Sequence, residues 1–190
     1  YIKQQFCAGM SPEETNYTVM ISTFVVFGIA IIGSVYGGAL PMSFINKGWA
    51  TYKARMTSLL IIGFFPLLLI FTQTVAKFDG MTGLIAAVAV ISVAGAAHQA
   101  FSANLFTTVS DMFPKKAVGS VTGIGAAAGG LGGVLVQILA GRMEDFYRAT
   151  NGGDVAPAYA IMFGVCAFAY LIAWGFMKVL VPKYKPIVMD

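Results

Sequence analysis

The sequence predicts an all-α membrane protein with five transmembrane helices. Hydrophobic residues make up 58% of the 190 residues, charged residues only 11%, and the mean hydropathy is +0.79. Soluble domains carry about 25% charged residues. The charges also leave five long uncharged intervals, 15–46, 56–76, 80–110, 117–141 and 155–177. Each exceeds the roughly 18 to 20 residues that a helix needs to cross the hydrocarbon core. None alternates in polarity as the roughly ten-residue strands of a membrane barrel do, so helices, which satisfy their own backbone, are the structure lipid permits.

Lys and Arg accumulate on the cytoplasmic side of membrane proteins, whereas Asp and Glu contribute little to topology. Lys47, Lys53, Arg55, Lys115, Lys116, Lys178, Lys183 and Lys185 fall at one set of alternate ends, and Lys3, Lys77, Arg142 and Arg148 at the other. Eight against four places the 47–55 loop, the 111–116 loop and the tail at 183–190 in the cytoplasm. Residues 1–17 are then extracytoplasmic. Glu13, Glu14, Asp79, Glu144, Asp145 and Asp154 gather on that outer side. The net charge of +4 is therefore concentrated on the inner face, a topology signal and no nucleic-acid footprint. Cys7 and Cys166 are too far apart in this topology to pair, and no metal-ligand spacing is present. The chain starts at Tyr1 without a leader-like pattern and is expected to be a piece of a longer protein.

The membrane-spanning part occupies residues 18–182. Segment one, about 18–42, ends in Gly37-Gly38-Ala39-Leu40-Pro41, where paired glycine and proline predict a stop. Segment two, about 56–76, is nearly all Leu, Ile and Phe, with a kink expected at Pro66, and reads as facing lipid. Only Lys77-Phe78-Asp79-Gly80 separates it from segment three, so the two are antiparallel neighbours. Segment three, about 81–110, holds His98, Gln99, Ser102, Asn104, Thr107 and Thr108, the densest polar stretch at membrane depth. Segment four, about 117–140, pairs Gly119 with Gly123, Gly125 with Gly129 and Gly129 with Gly133, a spacing that lets helix backbones approach closely. A polar loop follows at 141–156 with the turn Asn151-Gly152-Gly153-Asp154. Segment five, about 157–181, opens on Pro157, is bulky and aromatic, and reads as peripheral.

His98 is the only histidine, and an ionisable residue inside a span marks either a functional site or an interhelical hydrogen bond. At about 100° per residue, Gln99 and Ser102 share its side of the helix while Asn104 and Thr108 lie on another. Two polar faces imply a water-filled cavity on one and a helix contact on the other. Asp111 opposes the helix dipole in the last turn of its helix. It is either balanced by Lys115 and Lys116 or acts as a gate that binds a basic residue elsewhere in one conformation and releases it in the other. No Asp, Glu, Lys or Arg lies mid-segment, so if a substrate is an anion, its counter-charge lies elsewhere. No zinc-protease, P-loop or nucleophile-elbow pattern is present, and no enzymatic activity or cofactor is expected.

Two stretches carry a resemblance. Gly37-Gly38-Ala39-Leu40, followed by Lys47-Gly48-Trp49 and Ala54-Arg55, resembles the cytoplasmic loop signature of the major facilitator superfamily in its second-half copy. His98 to Gly130, HQAFSANLFTTVSDMFPKKAVGSVTGIGAAAGG, is similar to helices ten and eleven of its anion:cation symporter family, in particular the hexuronate transporters. The resemblance runs from about residue 30 to 141. Where the family loop usually has an Asp this chain has Met42, and the Asn that aldonate carriers often place near the Ala126 or Gly130 positions is missing.

The resemblance implies that the segments correspond to helices eight to twelve of a twelve-helix transporter, two parallel halves around a midplane site. In that family helix ten lines the cavity, helices eight and eleven pack between the halves, and helices nine and twelve face lipid. It also implies a bacterial inner-membrane protein that imports a sugar-acid anion such as glucuronate or galacturonate with protons. Substrate hydroxyls would bond to His98, Gln99, Ser102, Asn104 and Gln137. Gly37, Gly38, Asp111, Gly125, Gly129 and Gly133 would serve conformational change, and the carboxylate-binding Arg and proton-carrying acids would belong to the N-terminal half. Another organic anion, an aldonate or aldarate, is the alternative substrate. A non-transporting membrane sensor of the same fold is the alternative function.

Overall fold

The computed structural model describes residues 1–184. The tail at 183–190 is covered only as far as Tyr184, and Lys185 lies outside the described residues. Every regular element among them is helical: α1 (Ile2–Phe6), α2 (Pro12–Asn46), α3 (Thr51–Phe64), a 3-10 stretch (Phe65–Phe71), α4 (Thr72–Val75), α5 (Gly80–Met112), α6 (Lys115–Thr150) and α7 (Ala156–Leu180). Together α3, the 3-10 stretch and α4 make one span, so five helical units are long and apolar enough to cross a membrane. Among the described residues the protein is all-helical, with a set of spans compatible with a multi-pass membrane protein.

The ends of the spans differ from expectation where local chemistry outweighs the absence of charge. The first span begins at Pro12, not near Thr18, because Ser11 and Glu14 form a capping box: Ser11 Oγ accepts from the Glu14 amide and the Glu14 carboxylate accepts from the Ser11 amide. Nor does it stop at Gly37-Gly38. The helix runs through Pro41 to Asn46 and turns at Gly48, whose φ of +86° favours glycine. Proline removes only one amide from the ladder, and neighbouring groups at membrane depth can satisfy the freed carbonyl.

Pro66 produces a change of helix type: Phe65–Phe71 tightens into a 3-10 stretch before the α-helix resumes at Thr72. The loop expected at 141–156 is helical as far as Thr150, since nothing between Gly141 and Thr150 breaks a helix and Glu144 pairs with Arg148 one turn on, at 3.9 Å. The turn itself falls at Gly152 and Gly153, with φ of +61° and +91°. At 1.5 Å per residue α6 is about 54 Å long, well beyond a bilayer core of about 30 Å.

Helix association in lipid rests on packing and hydrogen bonds rather than on hydrophobic transfer, and α5 is the hub of both. On one side α2 lies against it so closely that an added Cβ on Gly33 would come 2.2 Å from the Ala96 carbonyl oxygen, and one on Gly37 2.4 Å from the Ala100 Cα. Next to this contact Ala97, Ala100 and Phe101 of α5 pack with Met56, Leu59 and Ile62 of α3, flanked by Tyr170, Trp174 and Met177 of α7. Segment two, expected at the periphery, thus has the most buried window of the five spans, at 39%. α6 has no buried residue. The close contact expected of its glycines is made by Gly33 and Gly37 of α2.

Candidate functional site

The end of the bundle where α2, α5 and α7 finish and α3 and α6 begin holds Lys47, Lys53, Arg55, Lys115, Lys116, Lys178 and Lys183. There Arg55, on the first turns of α3, donates from Nε to Asp111 Oδ2 across 2.9 Å, with side chains 7% and 22% exposed. The partner of Asp111 is therefore a buried arginine 56 residues away in sequence. The alternatives weighed from sequence were Lys115, Lys116 or a distant basic group; the structure supplies a basic group from another helix.

Around this pair, α7 is fastened to α3. Tyr52 donates to the Val181 carbonyl at 2.9 Å, the Trp174 indole to the Met56 carbonyl at 2.9 Å, and Lys178 sits 4.8 Å over the Tyr52 ring. Tyr184 stacks edge-on against Tyr52, and burial beside Asp111 pushes its phenol up to about 12. Removing the carboxylate or the guanidinium would leave the other charge in low-dielectric surroundings, so the pair acts as a fastener between α3 and α5.

Deeper in α5 the polar residues divide between two faces. Asn104 is fully buried and its Nδ2 donates to the Gly37 carbonyl of α2 and, at 3.0 Å, to the Ala100 carbonyl of its own helix. Thr108 is buried one turn on. This face is the helix contact. His98, Gln99 and Ser102 lie on the other, with His98 exposed and Gln99 and Ser102 half-buried. His98 Nδ1 is 2.7 Å from the Tyr170 hydroxyl of α7; the hydroxyl donates if the ring proton is on Nε2. Gln99 and Ser102 make no side-chain hydrogen bond among the described residues. Their amide and hydroxyl have full donor and acceptor capacity left for water or a ligand.

No protein-family model, curated protein or solved structure matches this chain.

Of the remaining candidates, Gln137 is exposed on α6 and is not brought to the α5 face by any contact. Gly125, Gly129 and Gly133 have open space where a Cβ would be, as does Gly38, whereas Gly37 is pressed on α5. An apolar groove of about 500 Å³ between α2, α3 and α5 is lined by Gly33, Gly37, Leu40, Ile62, Phe65 and Ala97. Its only side-chain polar groups are the hydroxyls of Tyr36 and Ser43, and the latter already donates to the Leu40 carbonyl. Sequence reasoning missed two site-forming residues, Arg55 and Tyr170. The first was legible as the only arginine at the Lys-rich end; the second carried no signal, because tyrosine is common in spans.

Proposed function

We propose that this chain forms part of a secondary active transporter of the bacterial inner membrane that imports a sugar-acid anion, a hexuronate such as glucuronate or galacturonate, together with protons. The observation that carries the reading is the face of α5 formed by His98, Gln99 and Ser102. These polar groups lie within an apolar span, and Gln99 and Ser102 have no hydrogen-bond partner among the described residues. An unsatisfied amide and hydroxyl facing lipid would be costly, so such a face belongs to a cavity. The resemblance of residues 98–130 to hexuronate symporters gives that cavity its substrate class.

In this reading a bound sugar acid replaces water on α5. Gln99 offers both a donor and an acceptor to vicinal hydroxyls, Ser102 a hydroxyl that serves as either, and His98 its Nε2 while Nδ1 stays on Tyr170. The carboxylate is met by a cation from the other half of the transporter, because α5 carries none at this depth. Asn104 supports the fold instead of the substrate, since its amide is committed to two carbonyls. The Arg55–Asp111 pair closes the Lys-rich end in one conformation and opens in the other as the halves rock.

Uptake of labelled glucuronate by cells making the protein at its natural length tests this. Gln99→Ala and Ser102→Ala are each expected to lower uptake about tenfold, as loss of one buried hydrogen bond to ligand would. Unchanged uptake in both removes the site assignment, and no uptake of any sugar acid by the unaltered protein removes the function. A competition panel of hexuronates, aldonates and aldarates separates the substrate classes.

A further inference from the structure

Pro41 sits one turn after Gly37 within continuous helix. A proline has no amide, and its ring crowds the carbonyl four residues back, so the Gly37 carbonyl has lost the donor that would close its turn. That carbonyl is the one on which the Nδ2 of Asn104 rests. The reach is possible only because the backbones touch here, Gly37 against Ala100, one turn before Asn104. The orientation of the carboxamide follows from its surroundings: both neighbouring groups are carbonyls, so nitrogen must face them, and Oδ1 is left buried without a partner. An empty buried acceptor calls for a reason, and here the nitrogen of the same group is engaged by two carbonyls.

We propose that Asn104 is a positioning residue that stands in for the backbone amide missing at Pro41. It replaces an intrahelical bond of α2 with an interhelical one to α5. The stretch of α2 beyond Pro41, Met42 to Asn46, keeps its own helical hydrogen bonds, but at the one turn where the ladder is open it is tied to α5 instead. When α5 shifts, the amide has a fallback in its own Ala100 carbonyl, so it can leave Gly37 without losing every acceptor. This makes the Lys-rich end of α2 an arm whose attachment depends on the position of α5. The inference does not depend on what, if anything, is transported.

The test is a double-mutant cycle read by hydrogen exchange of the backbone amides of residues 42–46, which reports local opening. Asn104→Ala in the natural-length protein is expected to raise exchange there about tenfold, the loss of one buried hydrogen bond. In a Pro41→Ala background the helix regains its own donor for Gly37, and Asn104→Ala should then change exchange by no more than about twofold, the usual limit for independent sites. An equal rise in both backgrounds overturns the proposal. If Asn104→Ala alone does not fold, recovery of folded protein on adding Pro41→Ala supports it, and failure of the double variant where Pro41→Ala folds overturns it. A Pro41→Ala protein that does not fold also overturns it, because a restored amide has to be accepted by the helix.

Discussion

Gly33 and Gly37 of α2 share a four-residue spacing with Gly125, Gly129 and Gly133 of α6, yet the two sets stand in opposite surroundings. The first is pressed onto Ala96 and Ala100 of α5 at backbone contact, and the second has nothing within 4 Å of an added Cβ. Small residues remove an obstacle; they do not supply an attraction. On α2 the attraction is visible: α5 presents small residues at the matching spacing, and Asn104 finds a carbonyl that Pro41 has left without its amide. On α6 the polar contact with α7 lies at its far end, where Tyr159 meets Glu144, well away from the glycines, and α6 has no buried position.

The strongest way to sharpen that contrast is to fill both interfaces. Gly37→Leu, whose Cβ would run into the Ala100 backbone, should cost about 3 kcal/mol, the upper end of what overpacking does. Thermal unfolding in detergent micelles would show it as a marked fall in midpoint. Next in size is Arg55→Ala, which leaves Asp111 without its partner. Breaking a buried pair costs about 3 to 5 kcal/mol, and the 22% exposure of Asp111 reduces the expectation to about 2 kcal/mol, with Arg55→Lys intermediate. Ser11→Ala removes the capping box at the start of α2 and should cost about 1 kcal/mol by the same assay. Gly129→Leu on α6 should change stability by no more than about 0.5 kcal/mol. A loss there as large as that of Gly37→Leu would erase the contrast and show that α6 is packed in the protein at its natural length.

The number, order and approximate position of the spans were legible because lipid permits so little: a long uncharged apolar run has one structural solution. Their ends were less so, since absence of charge says where a span is possible and not where a helix stops. The Ser11-Pro12-Glu13-Glu14 cap was available in the sequence and sets the true start of α2. Pro41 misled because its effect depends on whether another helix can satisfy Gly37, a tertiary fact. The two polar faces of α5 followed from helical geometry alone, but the distribution of roles did not. That Asn104 serves the backbone while Gln99 and Ser102 are left without protein partners becomes visible only once α2 is in place.

One face of α5 packs into the bundle, and the proposed transport requires the other, with Gln99 and Ser102, to meet water and substrate. Cysteine accessibility measures this directly. In the protein at its natural length, with Cys7 and Cys166 replaced by serine, Gln99→Cys and Ser102→Cys should react with a membrane-impermeant thiol reagent and be protected by glucuronate. Ala97→Cys, on the packed face and 6% exposed, should stay unreactive. Reaction at Ala97→Cys with none at Gln99→Cys or Ser102→Cys would contradict the assignment of the two faces.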